Sequence, residues 1–366
     1  MKRKIALLLA ASMLAFTQVS AYAAGTSQTT ASTTADTEND GILTVDEAVT
    51  KAVGYSRTLK SLYEKNEVNE LSADDTRIDL IWSNEYVQVT NLNVELKNLL
   101  NSIRNYSTDV EIETEKIRLN VIELFAAIIN AEDSLDMYDK QIDINERELK
   151  IAEVKKSLGL LSQTDYNALV VENNKTKSSK QSLENELEEA YKSLNQILGQ
   201  NLNTRYTVQL DIEYEPLGDT DLEYAVSRAV SSSQSVKEKK EAVEIAKYQL
   251  DVYSHEYSGG YKQDKQNNYA QATRDLDDTK TQIESSLRTV YNNINTAETN
   301  YNNNLASLEQ KKKELSVKKL QLSLGKITQL DYDKAEYEVE QLENTIKQSV
   351  YSHYVLVCQY NNPDLL

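Results

Sequence analysis

Side chains that could carry acid–base, nucleophilic or metal chemistry are few in this chain. Its 366 residues include one cysteine, Cys358, and two histidines, His255 and His353. One cysteine cannot form an internal disulfide or a cysteine-based metal cluster, and two histidines offer little to a catalytic or zinc site. No glycine-rich phosphate loop and no nucleophile–base spacing accompanies them. The sequence therefore predicts a protein that is not an enzyme and that uses no cofactor and no metal.

These three side chains have plainer roles in a helical protein. His353 falls on an apolar stripe of the last predicted helix, where we expect a packed histidine. Cys358, near the end of the same helix, is expected to be a small buried apolar side chain. His255 lies in a polar stretch, and we expect it to be solvated.

The clearest local pattern is a short stretch that occurs twice. Residues 157–166 (SLGLLSQTDY) recur as residues 323–332 (SLGKITQLDY), 166 positions further along the chain. Gly159 and Gly325 stand where a helix must stop, because glycine tolerates the left-handed backbone conformation found at helix C-termini. Each stretch is therefore predicted to begin at the end of a helix.

The second half of each stretch predicts the start of a returning helix. Ser162 and Thr328 fit the N-cap position, where a hydroxyl oxygen accepts a hydrogen bond from the first helical turn. Asp165 and Asp331 follow three residues later, which is the spacing of a capping box with an acid near the positive end of the helix. The two stretches are thus predicted to be the tips of helical hairpins.

Apolar residues upstream of both tips follow a 3.5-residue period. In the first copy they are Ile117, Val121, Leu124, Ile128, Ala131, Leu135, Tyr138 and Ile142. The same offset leads to Ile283, Leu287, Val290, Ile294, Ala297, Tyr301, Asn304 and Leu308. This period is typical of helices that pack along their length on partner helices. The returning helix of the first copy is polar at Asn173 and Thr176, so we expect it to pack loosely or to face water there.

An internal duplication therefore organises the chain. We place helical repeat 1 at 43–200, a linker at 201–218 and helical repeat 2 at 219–361; the motifs AVTKAV and AVSRAV lie near the start of the two repeats. Each repeat is interpreted as a short helix after Thr44 or Asp219, a long helix, and a returning helix. The predicted fold class is all-α, with long antiparallel coiled-coil helices in two tandem repeats.

The beginning of the chain has the pattern of a signal peptide. In residues 1–23, Lys2-Arg3-Lys4 precede an apolar run, and Ala21-Tyr22-Ala23 supplies the small residues of a cleavage site. Residues 24–41 are rich in Thr, Ser and Ala and are interpreted as a flexible leader. The mature protein is therefore expected to be extracytoplasmic, in the cell envelope.

The charge balance excludes one class of partner. The chain has 40 Lys and Arg against 58 Asp and Glu, a net charge of −18. A surface this acidic repels phosphate backbones, so we expect no nucleic-acid partner. Nine glycines and two prolines are also too few for a turn-rich all-β protein of this length.

The doubled unit of long helices, with a Gly-x-x-x-x-x-Asp turn in each copy, resembles the TolC-like outer-membrane efflux proteins. The opening LTVDEAV at residues 43–49 and the Leu198-Gly199 end of the first copy are similar to that family too. The resemblance covers roughly residues 43–360. It implies a TolC-like α-barrel protomer, three copies of which form a twelve-helix tunnel as a homotrimer. It also implies two partners, a periplasmic-adaptor-type (membrane fusion) protein and an inner-membrane pump.

The resemblance also assigns roles to the residues of the tips. In that family the adaptor meets the tunnel at the hairpin tips, which here correspond to Gly159, Leu160, Leu161, Ser162, Gly325, Lys326, Ile327 and Thr328. Acids in the family's tip turns hold the tunnel mouth closed, and the matching positions here are Asp165 and Asp331. The family's tyrosine before the second turn has no counterpart, since Leu322 stands near that place.

One part of the family pattern is reduced in this sequence. In the family, each copy inserts two membrane-spanning strands between its first and second long helices, which corresponds here to about 72–108 and 254–271. A membrane-spanning strand needs about 9–11 residues with one apolar side, and the second stretch is almost wholly polar. We therefore expect these strands to be reduced or absent, with Trp82 packed rather than anchored at an interface. An outer-membrane location requires that the host has an outer membrane and that the reduced region still inserts.

Two functions are compatible with these observations. The leading hypothesis is a secreted TolC-like efflux or export duct component that docks an adaptor protein at its hairpin tips. The alternative is a coiled-coil envelope scaffold or surface interaction protein without transport activity, whose stripes bind a partner helix. Substitution of the tip residues distinguishes them, because only the first hypothesis predicts that export or adaptor binding is lost.

Overall fold

The computed structural model describes residues 41–256 and 260–366. The predicted signal peptide and all of the predicted leader except Gly41 lie outside the described residues. The described helices are α1 (Val45–Tyr55), α2 (Arg57–Trp82), α3 (Tyr86–Ser157), α4 (Gln163–Leu198), α5 (Leu222–Ser232), α6 (Gln234–Glu256), α7 (Gly260–Ser323) and α8 (Gln329–Asn361). Two short strands, β1 (Ile42–Thr44) and β2 (Thr207–Gln209), and a terminal 3₁₀ turn (Pro363–Leu365) complete the described chain.

The two longest helices carry the architecture. Helix α3 has 72 residues and α7 has 64, which gives lengths of about 108 and 96 Å at about 1.5 Å per residue. Helix α4 returns along α3, and α8 returns along α7. The apolar stripe predicted for both long helices is buried in its first half, at Ile117, Val121, Leu124, Ile128, Ile283, Leu287, Val290 and Ile294. The predicted fold class of long antiparallel helices is confirmed.

The short first helix predicted for each repeat is in fact two consecutive helices. In the first half they are α1 and α2, separated at Ser56, and in the second half they are α5 and α6, separated at Ser233. The Ser56 hydroxyl accepts a hydrogen bond from the Leu59 N–H and so caps the restarted helix. Helix α5 begins at Leu222, three residues after Asp219, and the side chain of Asp221 caps it.

The stretch 201–218, predicted to be a linker, contains structure that the sequence did not indicate. Strand β2 pairs with β1 in parallel, with Leu43 opposite Val208. Both of these side chains are buried in the apolar core that α1, α3 and α4 share. The pairing joins residues more than 160 positions apart, so no local pattern could reveal it.

The end of the stretch 201–218 contacts the second half of the molecule through a hydrogen bond and a stacked pair of rings. The Leu217 N–H donates to Glu298 Oε1 at 2.7 Å, and the same oxygen lies 3.1 Å from His353 Nε2. The Tyr214 ring stacks on Tyr301 with 3.8 Å between ring centroids. His353 is 3% exposed, so the packed histidine predicted on the last helix is confirmed.

Apart from residues 83–85, the regions expected to have lost membrane strands are helical where they are described. Residues 72–82 and 86–108 belong to α2 and α3, and residues 254–256 and 260–271 belong to α6 and α7. The expectation that Trp82 packs was wrong, because its side chain is 79% exposed. Trp82 is the last residue of α2, so no further helical turn covers it. Among the described helices, none has a stretch long and apolar enough to cross a bilayer.

The polar middle of α4 was also misjudged. Asn173 and Thr176 are buried, at 6% and 8% exposure, rather than facing water. The Asn145 side chain on α3 donates to the Thr176 hydroxyl at 3.3 Å. Ion pairs Lys177–Glu146 and Lys180–Asp139 bridge the two helices beside this contact. Polar bonding between the helices, which the apolar pattern does not record, holds this part of the hairpin together.

Candidate functional site: the two hairpin tips

Both predicted tips end their long helices with the same backbone motif. At the first tip, Gly159 has φ +72°, its N–H donates to Lys156 O at 3.0 Å, and the Leu160 N–H donates to Lys155 O at 2.8 Å. At the second tip, Gly325 has φ +65° and makes the equivalent bond to Leu322 O at 2.9 Å. This pair of bonds is a Schellman motif, which requires a left-handed residue and so favours glycine. The predicted C-terminal role of both glycines is confirmed.

The returning helices start as the capping chemistry predicts. The Ser162 hydroxyl accepts from the Asp165 N–H at 3.0 Å, and the Thr328 hydroxyl accepts from the Asp331 N–H at 3.2 Å. At the second tip the Asp331 carboxylate also accepts from the Thr328 backbone N–H at 3.0 Å, which completes the capping box. At the first tip the Asp165 carboxylate accepts from the Ser162 hydroxyl alone. The N-caps are confirmed, and the full box forms only at the second tip.

The capping bonds define the charge state of the second tip. Hydrogen bonds from the hydroxyl and the backbone N–H of Thr328 hold the pKa of Asp331 below its usual value. These bonds stabilise the ionised form, because a carboxylate accepts hydrogen bonds that a protonated acid loses. Asp331 is therefore a fixed negative charge at an exposed helix N-terminus.

Both tips carry exposed apolar side chains that the sequence analysis did not single out. They lie 166 positions apart in matching pairs and are here called the tip stripes: Ile151, Val154 and Leu158 at the end of α3, and Val317, Leu320 and Leu324 at the end of α7. Their exposed fractions run from 44% to 66%. Leu160 in the first turn is 74% exposed. The signal that could have found them is their own spacing of three and four residues, which is repeated at both tips. It lies on a different face from the buried stripe, whose period would continue at 145, 149 and 152.

A ladder of ion pairs connects the two hairpins behind the tips. Helices α3 and α8 pack antiparallel, and at intervals of seven residues Asp133 pairs with Lys347, Lys140 with Glu340, and Arg147 with Asp333. The N–O distances are 2.5, 2.7 and 2.6 Å. The hydrogen bond to Asp333 raises the pKa of Arg147. The three rungs are partly exposed, so each is expected to contribute between about 0 and 1 kcal/mol.

The rest of the described chain offers no rival centre for chemistry. A polar cavity of about 320 Å³ lies between α2, α3 and α6. Its acids are bonded to the chain's own amides, since Asn105 donates to Glu241 at 2.9 Å and Gln234 donates to Asp109 at 3.1 Å. Within the described ranges, no three His, Cys, Asp or Glu side chains are grouped so as to hold a metal ion.

Cys358 is less deeply packed than the sequence indicated. It is half-buried rather than fully buried. Burial raises the pKa of its thiol above the usual value. A thiol with a raised pKa is a poor nucleophile at neutral pH, which fits a packing role.

Comparison with known proteins gives no match by sequence: no protein-family model matches the chain, and no curated protein does. Solved structures do match it. The outer membrane protein VceC from Vibrio cholerae is 10% identical with a TM-score of 0.60, over 86% of this chain and 95% of that one. The outer-membrane channel OprN is 10% identical with a TM-score of 0.64, over 88% and 89%. The CmeC outer membrane channel of Campylobacter jejuni is 12% identical with a TM-score of 0.58, over 87% and 85%.

This chain has the TolC-like fold. At 10–12% identity the likeness establishes the fold alone. The resemblance drawn from the paired tips is confirmed at that level, although the sequence by itself matches no family. Of these three solved structures, OprN and CmeC are described as outer membrane channels.

Proposed function

We propose that this protein is an extracytoplasmic, TolC-like export duct component whose hairpin tips dock an adaptor protein. The observation that carries the proposal is the pair of tip stripes, exposed at matching positions of two hairpins. Fully burying one Val, Leu or Ile side chain contributes about 1.5–3 kcal/mol. Apolar side chains clustered at a protein's extremity mark an interaction site, so the stripes supply a docking surface for a helical partner.

The docking surface includes the residues assigned from the family resemblance. These are Gly159, Leu160, Leu161, Ser162, Gly325, Lys326, Ile327 and Thr328. The turn glycines present them at the end of each hairpin without a side chain that would obstruct a partner. Asp165 and Asp331 are proposed as gate acids: both residues are exposed, so in the proposed trimer their carboxylates would be free to bond a cationic side chain of a neighbouring copy.

The proposal extends to assembly and location. Signal-peptide cleavage after residue 23 would release the mature chain outside the cytoplasm, and two tandem repeats, at 43–200 and 219–361, would give each protomer two hairpins. Three protomers would close a tunnel as a homotrimer in the cell envelope. The adaptor would couple this tunnel to an inner-membrane pump.

The test replaces one apolar side chain in each tip stripe by a charge. Leu158→Asp with Leu324→Asp places two carboxylates on the docking surface, and Val68→Asp with Leu71→Asp does the same on an exposed face of α2. We expect the tip variant to weaken binding of the purified adaptor by at least tenfold and to abolish dye export. The α2 variant should leave both unchanged, and circular dichroism should report the same helix content for all three proteins.

The same experiment decides between the two hypotheses from the sequence. A protein that binds no adaptor and supports no export before substitution is not a duct component, and the envelope-scaffold hypothesis then stands. Equal loss of binding in the tip and α2 variants would remove the tips as the docking site.

A further inference from the structure

The two halves of the molecule correspond residue by residue around their short first helices. An offset of 177 positions carries Thr44, the N-cap of α1, onto Asp221, the N-cap of α5. The same offset carries the break at Ser56 onto the break at Ser233. The offset of 166 positions that relates the two tips also relates α4 to α8. These two offsets identify the residues of the second half that correspond to the surroundings of strand β2 in the first.

In the first half, strand β2 fills a groove between α1 and α4. Its backbone pairs in parallel with β1, and the side chains of Val208 and Leu210 are buried. These two side chains belong to one apolar cluster with residues of β1, α1 and α4, which include Leu43, Ala48, Tyr191 and Leu194. The groove therefore takes up apolar side chains at alternate positions of an extended chain.

Two side chains of α4 also hold the backbone of the segment that leads into β2. The Asn195 amide donates to the carbonyl oxygens of Leu202 and Thr204, at 3.2 and 2.9 Å. The Tyr191 hydroxyl lies 2.9 Å from the carbonyl oxygen of Tyr206. The groove thus binds the extended segment through its backbone as well as through its side chains.

The equivalent groove of the second half is open. A cavity of about 430 Å³ lies between α5, α8 and the residues just before α5. Its lining includes the equivalents of the residues that surround β2: Thr220, Asp221, Ala225, Val357, Tyr360 and Asn361. Ala48 is completely buried in the first half, whereas its equivalent Ala225 is only partly buried.

Among the described residues, no segment occupies the place of β2 in the second half. Residues 219–221, the equivalents of β1, belong to no strand, and Asp219 and Thr220 make no backbone–backbone hydrogen bond to a described residue. Asn361, the equivalent of Asn195, is exposed, and its side chain bonds to no described residue. After α8 the chain turns instead toward α6, where Asp364 bonds to Gln234.

We infer that the groove between α5 and α8 takes up an extended segment of a partner protein by β-strand addition. The segment pairs in parallel with residues 219–221, as β2 pairs with β1. Every second side chain is apolar and lies against Ala225 and Tyr360, and a backbone carbonyl oxygen accepts a hydrogen bond from the Asn361 amide. In this mode of recognition, main-chain hydrogen bonds give affinity and pockets for alternate side chains give specificity.

The occupant is a strand from another protein for two reasons. The equivalent groove of the same molecule is filled by a strand, so its walls have the shape and the hydrogen-bonding groups that suit one. The chain's own β2 is already buried in the first half. Residues 24–40 contain no Val, Leu, Ile, Phe, Tyr or Trp, so they do not carry the large apolar side chains that would fill the cavity.

The chain's own β2 segment supplies a probe for this groove. We expect a fluorescein-labelled peptide of residues 202–211 (LNTRYTVQLD) to bind the purified protein, with a saturable rise in fluorescence anisotropy. The same peptide with Val208→Asp and Leu210→Asp should bind on the order of tenfold more weakly, because its carboxylates would have to leave water for an apolar wall.

Substitutions in the groove locate the bound peptide. Ala225→Arg fills the groove with a long side chain, and Asn361→Ala removes the amide that bonds the strand. Neither side chain is fully buried, so both variants should keep the fold, which circular dichroism checks. Ala168→Arg, on an exposed position of α4, is the matched control. We expect Ala225→Arg to weaken peptide binding on the order of tenfold or more, Asn361→Ala to weaken it less, and the control to leave it unchanged.

Hydrogen exchange tests whether the peptide pairs as a strand. Pairing with residues 219–221 should slow exchange of backbone amides in that segment, whereas loose apolar contact should not. Slower exchange in 219–221, together with weaker binding by the groove variants, supports the inference.

Several results would overturn it. They are the absence of peptide binding to the unsubstituted protein, binding that Ala225→Arg leaves unchanged, and unchanged exchange in 219–221. Displacement of the labelled peptide by a peptide of residues 24–40 would make the chain's own leader the occupant and would overturn the assignment to a partner. The tip variant Leu158→Asp with Leu324→Asp should bind the peptide normally, so this test is separate from that of adaptor docking.

Discussion

The carboxylate of Asp364 caps helix α6 at Gln234. Its Oδ1 atom accepts a hydrogen bond from the Gln234 backbone N–H and another from the Ser233 hydroxyl, each at 2.9 Å. Ser233 and Gln234 are both buried, so water cannot replace the bond. The terminal 3₁₀ turn thus supplies the N-cap of a helix that starts 130 residues earlier.

Removing this cap is expected to lower the free energy of unfolding. Asp364→Ala leaves the first N–H of α6 without its acceptor and should cost about 1 kcal/mol. Asp364→Asn retains an oxygen acceptor and should cost less, and Asp219→Ala at an exposed aspartate should be neutral. Urea unfolding followed by circular dichroism measures all three. Equal stability of Asp364→Ala and the unsubstituted protein would show that the turn does not cap α6.

Substituting Gly199 or Gly325 by alanine separates two effects of an added methyl group, namely backbone strain and steric clash with a neighbour. Both have φ of +65°, where an L-residue is strained by about 1–2 kcal/mol. A Cβ atom on Gly325 would meet nothing within 4 Å, whereas one on Gly199 would lie within 2.7 Å of three ring carbons of Tyr55. We therefore expect Gly199→Ala to be more destabilising than Gly325→Ala by about 1–3 kcal/mol. Thermal unfolding measures the difference, and equal losses would mean that the Tyr55 ring moves away freely.

The stability of the second tip should depend on pH in the acid range. The pKa of Asp331 is lowered by its bonds to Thr328, so its stabilising effect is complete above the pKa of an unfolded aspartate, about 3.9. The effect is lost as the pH falls through the lower folded value, because the protonated acid binds the N–H groups less well. Carboxyl NMR should therefore give Asp331 a pKa below that of an unstructured peptide. Thr328→Ala should move it upward, and a value unchanged by that substitution would contradict the capping box.

The fluorescence of Trp82 tests whether the junction between α2 and α3 is exposed to water. It is the one tryptophan in the chain, and its side chain is 79% exposed. We expect fluorescence typical of indole in water and quenching by acrylamide almost as efficient as in the unfolded protein. A blue-shifted emission that acrylamide barely quenches would show that another copy or a partner covers this end.

The local features of the fold could be predicted because short-range interactions fix them. Gly159 and Gly325 end their helices through a bond from the glycine N–H to the carbonyl three positions back and a bond from the next N–H to the carbonyl five positions back. Ser162 and Thr328 start the next helices through bonds to the N–H three positions ahead. The burial of one side of α3 and α7 follows from the 3.5-residue period. None of these needs knowledge of which other helix lies alongside.

Several features that the sequence missed depend on contacts between distant parts of the chain. The helix was expected to pack loosely or to face water at Asn173 and Thr176, but both residues are buried and Asn145 of α3 bonds to Thr176. The pairing of β1 with β2 and the exposure of Trp82 depended in the same way on which elements meet. Hydrophobic spacing identifies a face that can be buried, but it does not say what covers that face.

The sequence by itself determined the long helices, the two hairpin turns and the residues that build them, since each is encoded within a few consecutive turns of helix. The tertiary structure decided which stripes are covered. It packs α3 against α8 along the partly exposed ion pairs and leaves the tip stripes exposed. The physical reason is that a helix face is buried only when another surface covers it, and that surface lies far away in the sequence.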